Sequence, residues 1–197
     1  MIKQITPNMV INSFIEHYLK FVTESDMFRH KRTVQVELGG YGIDLSRSNR
    51  LSGLLKEAPI ITGINSGDCG VAAIAIGWVF SQIHPESDIA YFDNGEHGYL
   101  SIDGVLYDTI YRFGVKEHSL MYGAKATQLN NPLTLDEICK AFIVTDIQGQ
   151  EMINTFCELW NVPGISFAEY NTGLSTIDID NELNFTQKRR DTAIKEL

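Results

Sequence analysis

Asn65-Ser66-Gly67-Asp68-Cys69-Gly70-Val71-Ala72-Ala73-Ile74-Ala75-Ile76-Gly77-Trp78-Val79-Phe80 decides how this chain folds. A polar loop punctuated by Gly67 and Gly70 runs into one cysteine, and from Val71 to Phe80 no residue is charged. A surface helix keeps a polar face. A stretch without one is expected as a helix buried on most sides, with the other elements packed around it. Cys69 then stands at the helix N-terminus, where unpaired N–H groups and the positive dipole end favour a thiolate. The flanking glycines let the backbone turn sharply and approach a ligand. Taken alone, Cys69 reads equally well as a small buried hydrophobe, a common fate of a free cysteine.

The next informative stretch is a hairpin. His97-Gly98-Tyr99-Leu100-Ser101-Ile102 and Val105-Leu106-Tyr107-Asp108-Thr109 flank Asp103-Gly104. Asp-Gly between two alternating runs signals a two-residue hairpin loop. The expected register sets Ile102 against Val105, Ser101 against Leu106, Leu100 against Tyr107 and Tyr99 against Asp108. Opposed residues share a face, as do residues two apart on one strand. His97 and Asp108 therefore fall on one face as diagonal neighbours, roughly 7–8 Å apart at the backbone and within side-chain reach. Asp103 sits at the tip and is too far away to serve the same site.

Outward from these two stretches the chain reads as α+β. Thr6 and Pro7 open a first helix, whose apolar face is Val10, Ile11, Phe14, Ile15, Tyr18, Phe21 and Val22, ending near Ser25. His17 is expected at the edge of that face. Thr33–Leu38 alternates as a strand stopped by Gly39-Gly40-Tyr41-Gly42, a turn without dinucleotide-fingerprint spacing. Leu51, Leu54 and Leu55 suggest a short helix before Pro59. His84 marks a helix end, Asp88–Phe92 a strand and Asp93-Asn94-Gly95 a turn. Tyr111–Val115 is expected as an extended segment or loop. Thr134 and Glu137 form a capping box for a helix carrying Ile138, Phe142 and Ile143. A further helix from about Gln150 to Asn161 is closed by Pro163-Gly164. Cys139 and Cys157 fall within these helical patterns as packing residues. One domain over residues 1–181 is expected, with a polar C-terminal segment over 182–197.

Composition narrows the class. The 197 residues carry 25 acidic and 16 basic side chains, a net charge of −9. That disfavours nucleic acid and acidic membrane surfaces as partners. Arg29-His30-Lys31-Arg32 and Lys188-Arg189-Arg190 are short enough to be solvated faces. No apolar run approaches a membrane span, and Met1–Pro7 lacks a signal-peptide core. Three widely spaced cysteines argue against a disulfide framework and for a reducing cytoplasm. Nothing in the pattern calls for a cofactor, and oligomeric state is not legible.

A cysteine at a helix start, a histidine at a strand start and an aspartate aimed at that histidine are what nucleophilic catalysis needs. Histidine takes the thiol proton, and the third group fixes the imidazole's tautomer. On these residues the chain resembles the papain-like cysteine peptidase superfamily, with its transglutaminase-like and cell-wall amidase branches. The resemblance covers residues 64–109. It implies a central helix packed on an antiparallel sheet with additional helices, acting on a peptide or protein substrate. It implies Cys69 as nucleophile, His97 as general base and acid, and Asp108 as the orienting residue. Papain has a glutamine six residues ahead of its cysteine, where this chain has Gly63. Asn65 and the N–H of Cys69 are therefore the expected oxyanion donors, and Asp68, also on the substrate side, is expected to cap the helix. The leading reading is a cysteine-dependent hydrolase or acyltransferase for an amide, isopeptide or thioester bond. Two others remain open: an interaction protein on the same scaffold with an idle site, and a metal site built from Cys69, His97 and Asp108.

Overall fold

A computed structural model describes residues 4–24, 61, 64–65, 67–122, 124, 131–143 and 146–170. The expected strand at 33–38, the glycine turn after it, the short helix near 51–55 and the polar segment at 182–197 lie outside these residues. So do the two basic clusters.

The described elements run α1 (Pro7–Glu24), α2 (Cys69–Ile83), β1 (Ile89–Asp93), β2 (Gly98–Ile102), β3 (Val105–Tyr107), α3 (Leu135–Phe142) and α4 (Ile147–Leu159). The architecture is α+β: an antiparallel three-stranded sheet in the order β1-β2-β3 beside four helices. As its composition dictates, α2 is the hub. It touches α1, α3, α4, β1 and β2, and Cys69–Gly77, Val79 and Phe80 are buried. Each fully buried Ile or Val contributes about 1.5–3 kcal/mol relative to exposure.

Small residues let the sheet come close. Gly70, Ala73 and Gly77 lie on one side of α2, at helical spacing. A Cβ on Gly77 would strike the Tyr91 ring of β1, and one on Gly70 would strike the Phe142 ring of α3. A Cβ on Gly98 would lie 3.0 Å from Gly70 Cα. The first turn of α2 and the first residue of β2 therefore meet backbone to backbone.

The hairpin has the expected register: Leu100 opposes Tyr107, Ser101 opposes Leu106 and Ile102 opposes Val105. Asp103 and Gly104 both have positive φ (52° and 78°), as a type I′ turn requires. The Asp103 carboxylate accepts from Asp88 N–H (2.9 Å) and Ser87 Oγ (3.1 Å), which pins the tip far from His97. One sheet face carries Tyr91, Leu100 and Ile102 into the main core with α2. The other carries Phe92, Tyr99 and Leu106 into a second cluster with Met121.

The remaining helices follow their sequence signals. Thr134 and Glu137 form the complete capping box of α3. The last described helix, α4, begins at Ile147, three residues before the expected Gln150, because Asp146 caps it through Gly149 N–H. His17 is half-buried between α1 and α4, where Nε2 meets Thr155 Oγ1 at 3.0 Å. His84 ends α2 through its N–H to Phe80 O. Tyr111–Val115 turns and bridges back to Leu106 through Val115. Cys139 and Cys157 are fully buried packing residues. No helix among the described residues is long and apolar enough to cross a membrane.

Candidate active site

The site forms where β2 and β3 diverge. In this hairpin Ile102–Val105 and Leu100–Tyr107 are the hydrogen-bonded pairs, so Gly98 and Thr109 would be the next. But β3 ends at Tyr107, and Gly98 N–H loses its strand partner. It donates instead to Cys69 Sγ at 3.3 Å. The sulfur at the start of α2 thus fills the position a longer β3 would have taken, beside His97 and Asp108. The absence of a Cβ on Gly98 permits the approach.

His97 and Asp108 meet as the register requires. His97 Nε2 and Asp108 Oδ2 are 2.8 Å apart, with both residues buried. Asp108 accepts at its other oxygen from the N–H groups of Ile110 (2.7 Å) and Tyr111 (2.5 Å), which fixes the carboxylate's orientation. A carboxylate accepts, so Nε2 carries the proton. The opposite nitrogen, Nδ1, is buried without a hydrogen-bond partner among the described residues. Cys69 is the other side chain acting on the ring, through a hydrogen-bonding contact and then through its charge. The sulfur is therefore close to the imidazole, in a contact that falls short of a well-formed hydrogen bond at Nδ1.

Burial is the largest influence on the imidazole and pulls its pKa down. The hydrogen bond to Asp108, the Cys69 side chain and the charges of both outweigh it, and the pKa is pushed up to about 9. Its protonated form is therefore the favoured one at neutral pH. The two remaining cysteines are buried in the core. Burial pushes Cys139 up to about 12 and Cys157 up to about 11.

Of the five residues singled out from sequence, Cys69, His97 and Asp108 come together as expected. Asn65 is adjacent but engaged: its Nδ2 donates to Ile61 O (2.7 Å) and Thr109 Oγ1 (2.8 Å). Both amide hydrogens are committed, so Asn65 ties the approach to Cys69 to the residue after Asp108 and offers no free oxyanion donor. The expectation for Asp68 is also corrected. It holds the N-cap position of α2, but its side chain makes no cap bond. Its carboxylate accepts from Tyr18 O–H at 2.6 Å, and as an acceptor it cannot stabilise an oxyanion. Asp108 Oδ2 binds His97, and no group of three His, Cys, Asp or Glu side chains among the described residues is arranged to hold an ion.

Three contributors escape sequence reasoning. Asn94 is buried, and its Oδ1 accepts from the N–H groups of Glu96 (3.0 Å) and His97 (2.8 Å) while its Nδ2 donates to Tyr122 O (2.7 Å). It sets the turn that delivers His97. The Asp93-Asn94-Gly95 signal showed the turn but not this use of the amide. Gly98 carried a clue, since glycine inside a strand often marks a close backbone approach. Tyr18 carried none, lying within an ordinary apolar stripe. The His97 ring also stacks on Tyr99 (centroids 6.0 Å) and meets the edge of Tyr122 (5.8 Å).

A narrow pocket lined by Asn65, Cys69, Ala72, Asp108 and Thr109, among others, lies beside the sulfur and has no room for a water molecule. No protein-family model, curated protein or solved structure matches this chain.

Proposed function

We propose that this protein is a cysteine-dependent hydrolase or acyltransferase that cleaves or transfers an acyl group from an amide, isopeptide or thioester bond, on a papain-like arrangement of helix and sheet. One observation carries the reading. A buried His97 is held by Asp108 at Nε2, turns an unpartnered Nδ1 to its other side, and lies beside a sulfur at a helix N-terminus.

The chemistry follows from which nitrogen is free. Nε2–H stays on Asp108 throughout, so proton traffic runs through Nδ1. The Cys69 thiolate attacks the carbonyl carbon, and the carbonyl π pair moves onto oxygen. As the tetrahedral species collapses, Nδ1–H passes its proton to the leaving nitrogen or sulfur and a thioester remains on Cys69. Water or an amine then attacks that thioester, giving its proton to Nδ1, and the thiolate leaves. Preorganised donors for the developing oxyanion supply the largest share of such catalysis. With Asn65 engaged, these are the first-turn N–H groups of α2. Peptide or protein is the proposed substrate, and three free thiols suit the cytoplasm as the place of action.

One observation favours the alternative of an interaction domain with an idle site: Cys69 is only 6% exposed and the pocket beside it has no room for a water molecule. Incubation with p-nitrophenyl acetate separates the two. The expected result is a burst of p-nitrophenol with the acetyl group on Cys69, and loss of that burst in His97→Ala. Acetylation absent from Cys69, or equal on Cys139 and Cys157, would favour the idle site.

A further inference from the structure

A local rule is broken at the start of α2, and its consequence rests on the acyl-transfer reading. Aspartate is a preferred N-cap because its carboxylate accepts from the N–H groups that follow. Asp68 occupies that position, and its carbonyl accepts from Ala72 N–H at 2.9 Å, yet its side chain does not cap. Tyr18 O–H, 50 residues away on α1, binds the carboxylate at 2.6 Å, with both residues buried. The N–H groups of Cys69, Gly70 and Val71 are left without hydrogen-bond partners among the described residues, in the same turn as the sulfur.

We propose that Tyr18 is a positioning residue of the active site: by binding Asp68 it holds a negative charge off the N-terminus of α2, leaving those N–H groups open to the oxygen of an acyl substrate. A capping Asp68 would occupy the donors and set its charge where the oxyanion develops. Tyr18 is suited to the task. Burial, and then the charge and hydrogen bond of Asp68, keep the phenol protonated far above neutral pH, so it remains a donor. Among the described residues, the other titratable groups facing this corner are Asp146 before α4, His97 before β2 and Asp108 after β3.

The test is the pH profile of Cys69 alkylation by iodoacetamide, read by mass spectrometry. Tyr18→Phe releases Asp68 onto the helix start, and the midpoint is expected to rise by about 1 pH unit, or roughly tenfold slower labelling below it. Asparagine caps as well as aspartate but carries no charge. Adding Asp68→Asn to Tyr18→Phe is therefore expected to restore the wild-type midpoint, which it could not do for a merely structural lesion. An unshifted Tyr18→Phe, or a double variant that stays shifted, overturns the proposal. If circular dichroism shows Tyr18→Phe unfolded, Asp68→Asn alone decides. It keeps an acceptor for Tyr18 and removes the charge, so labelling at acid pH must be at least as fast as wild type, and slower labelling overturns the proposal. A wild-type Cys69 no more reactive than an ordinary thiol would instead sink the acyl-transfer reading, and this inference with it.

Discussion

Gly98→Ala tests the contact that brings the site together. A Cβ there would lie 3.0 Å from Gly70 Cα, 3.1 Å from Gly70 N and 3.4 Å from Phe142 Cζ. Carbon atoms rest at about 3.5–4.0 Å, so the start of β2 must retreat from α2 by about 0.5 Å. The nearest neighbours are backbone atoms and cannot swing aside as a side-chain tip could. Overpacking of this kind costs about 1–3 kcal/mol, a sizeable part of the 5–15 kcal/mol typical of a domain. The same retreat lengthens the 3.3 Å contact from Gly98 N–H to Cys69 Sγ and carries His97 away from the sulfur. Urea unfolding reads the stability, and iodoacetamide labelling of Cys69 reads the reactivity. The expected variant loses at least about 1 kcal/mol and labels several-fold more slowly at neutral pH. Stability and labelling both unchanged would refute the claim that this backbone approach sets the site.

The His97 pKa near 9 has a thermodynamic consequence. A pKa raised on folding stabilises fully below the unfolded value of about 6.5 and ceases to do so as pH rises through about 9. Between pH 6 and pH 10 the wild type is expected to lose about 3 kcal/mol more stability than His97→Ala, as read by urea midpoints; equal slopes would count against the charged imidazole. Asp108→Asn leaves the ring without a carboxylate at Nε2, so the His97 titration followed by NMR is expected to fall well below 9. Loss of a buried partner is expected to cost about 3 kcal/mol by the same urea assay. A His97 titration unmoved by Asp108→Asn would show that the carboxylate does not hold the ring.

Much of the site was legible because it depends on local rules. The apolar run from Val71 declared a buried helix, and Asp103-Gly104 fixed a register that places His97 beside Asp108. Neither inference needs knowledge of distant contacts. The readings of Asp68 and Asn65 failed for the opposite reason. Each residue followed its propensity in isolation, aspartate as a cap and asparagine as a free amide. Each was overridden by a partner many residues away: Tyr18 for Asp68, and Thr109 for Asn65. Gly98 shows the intermediate case. Its lack of a side chain was visible, but that its N–H would be orphaned by the early end of β3 was not.

The most direct measurement is the rate of iodoacetamide modification at Cys69, Cys139 and Cys157 across pH, in the wild type and in His97→Ala. Cys139 and Cys157, with thiols held up to about 12 and about 11, serve as internal references. The expected result is that Cys69 alone reacts readily at and below neutral pH and that His97→Ala removes this advantage. Equal reactivity of the three thiols, or a Cys69 profile untouched by loss of His97, would contradict a sulfur activated by the buried imidazole.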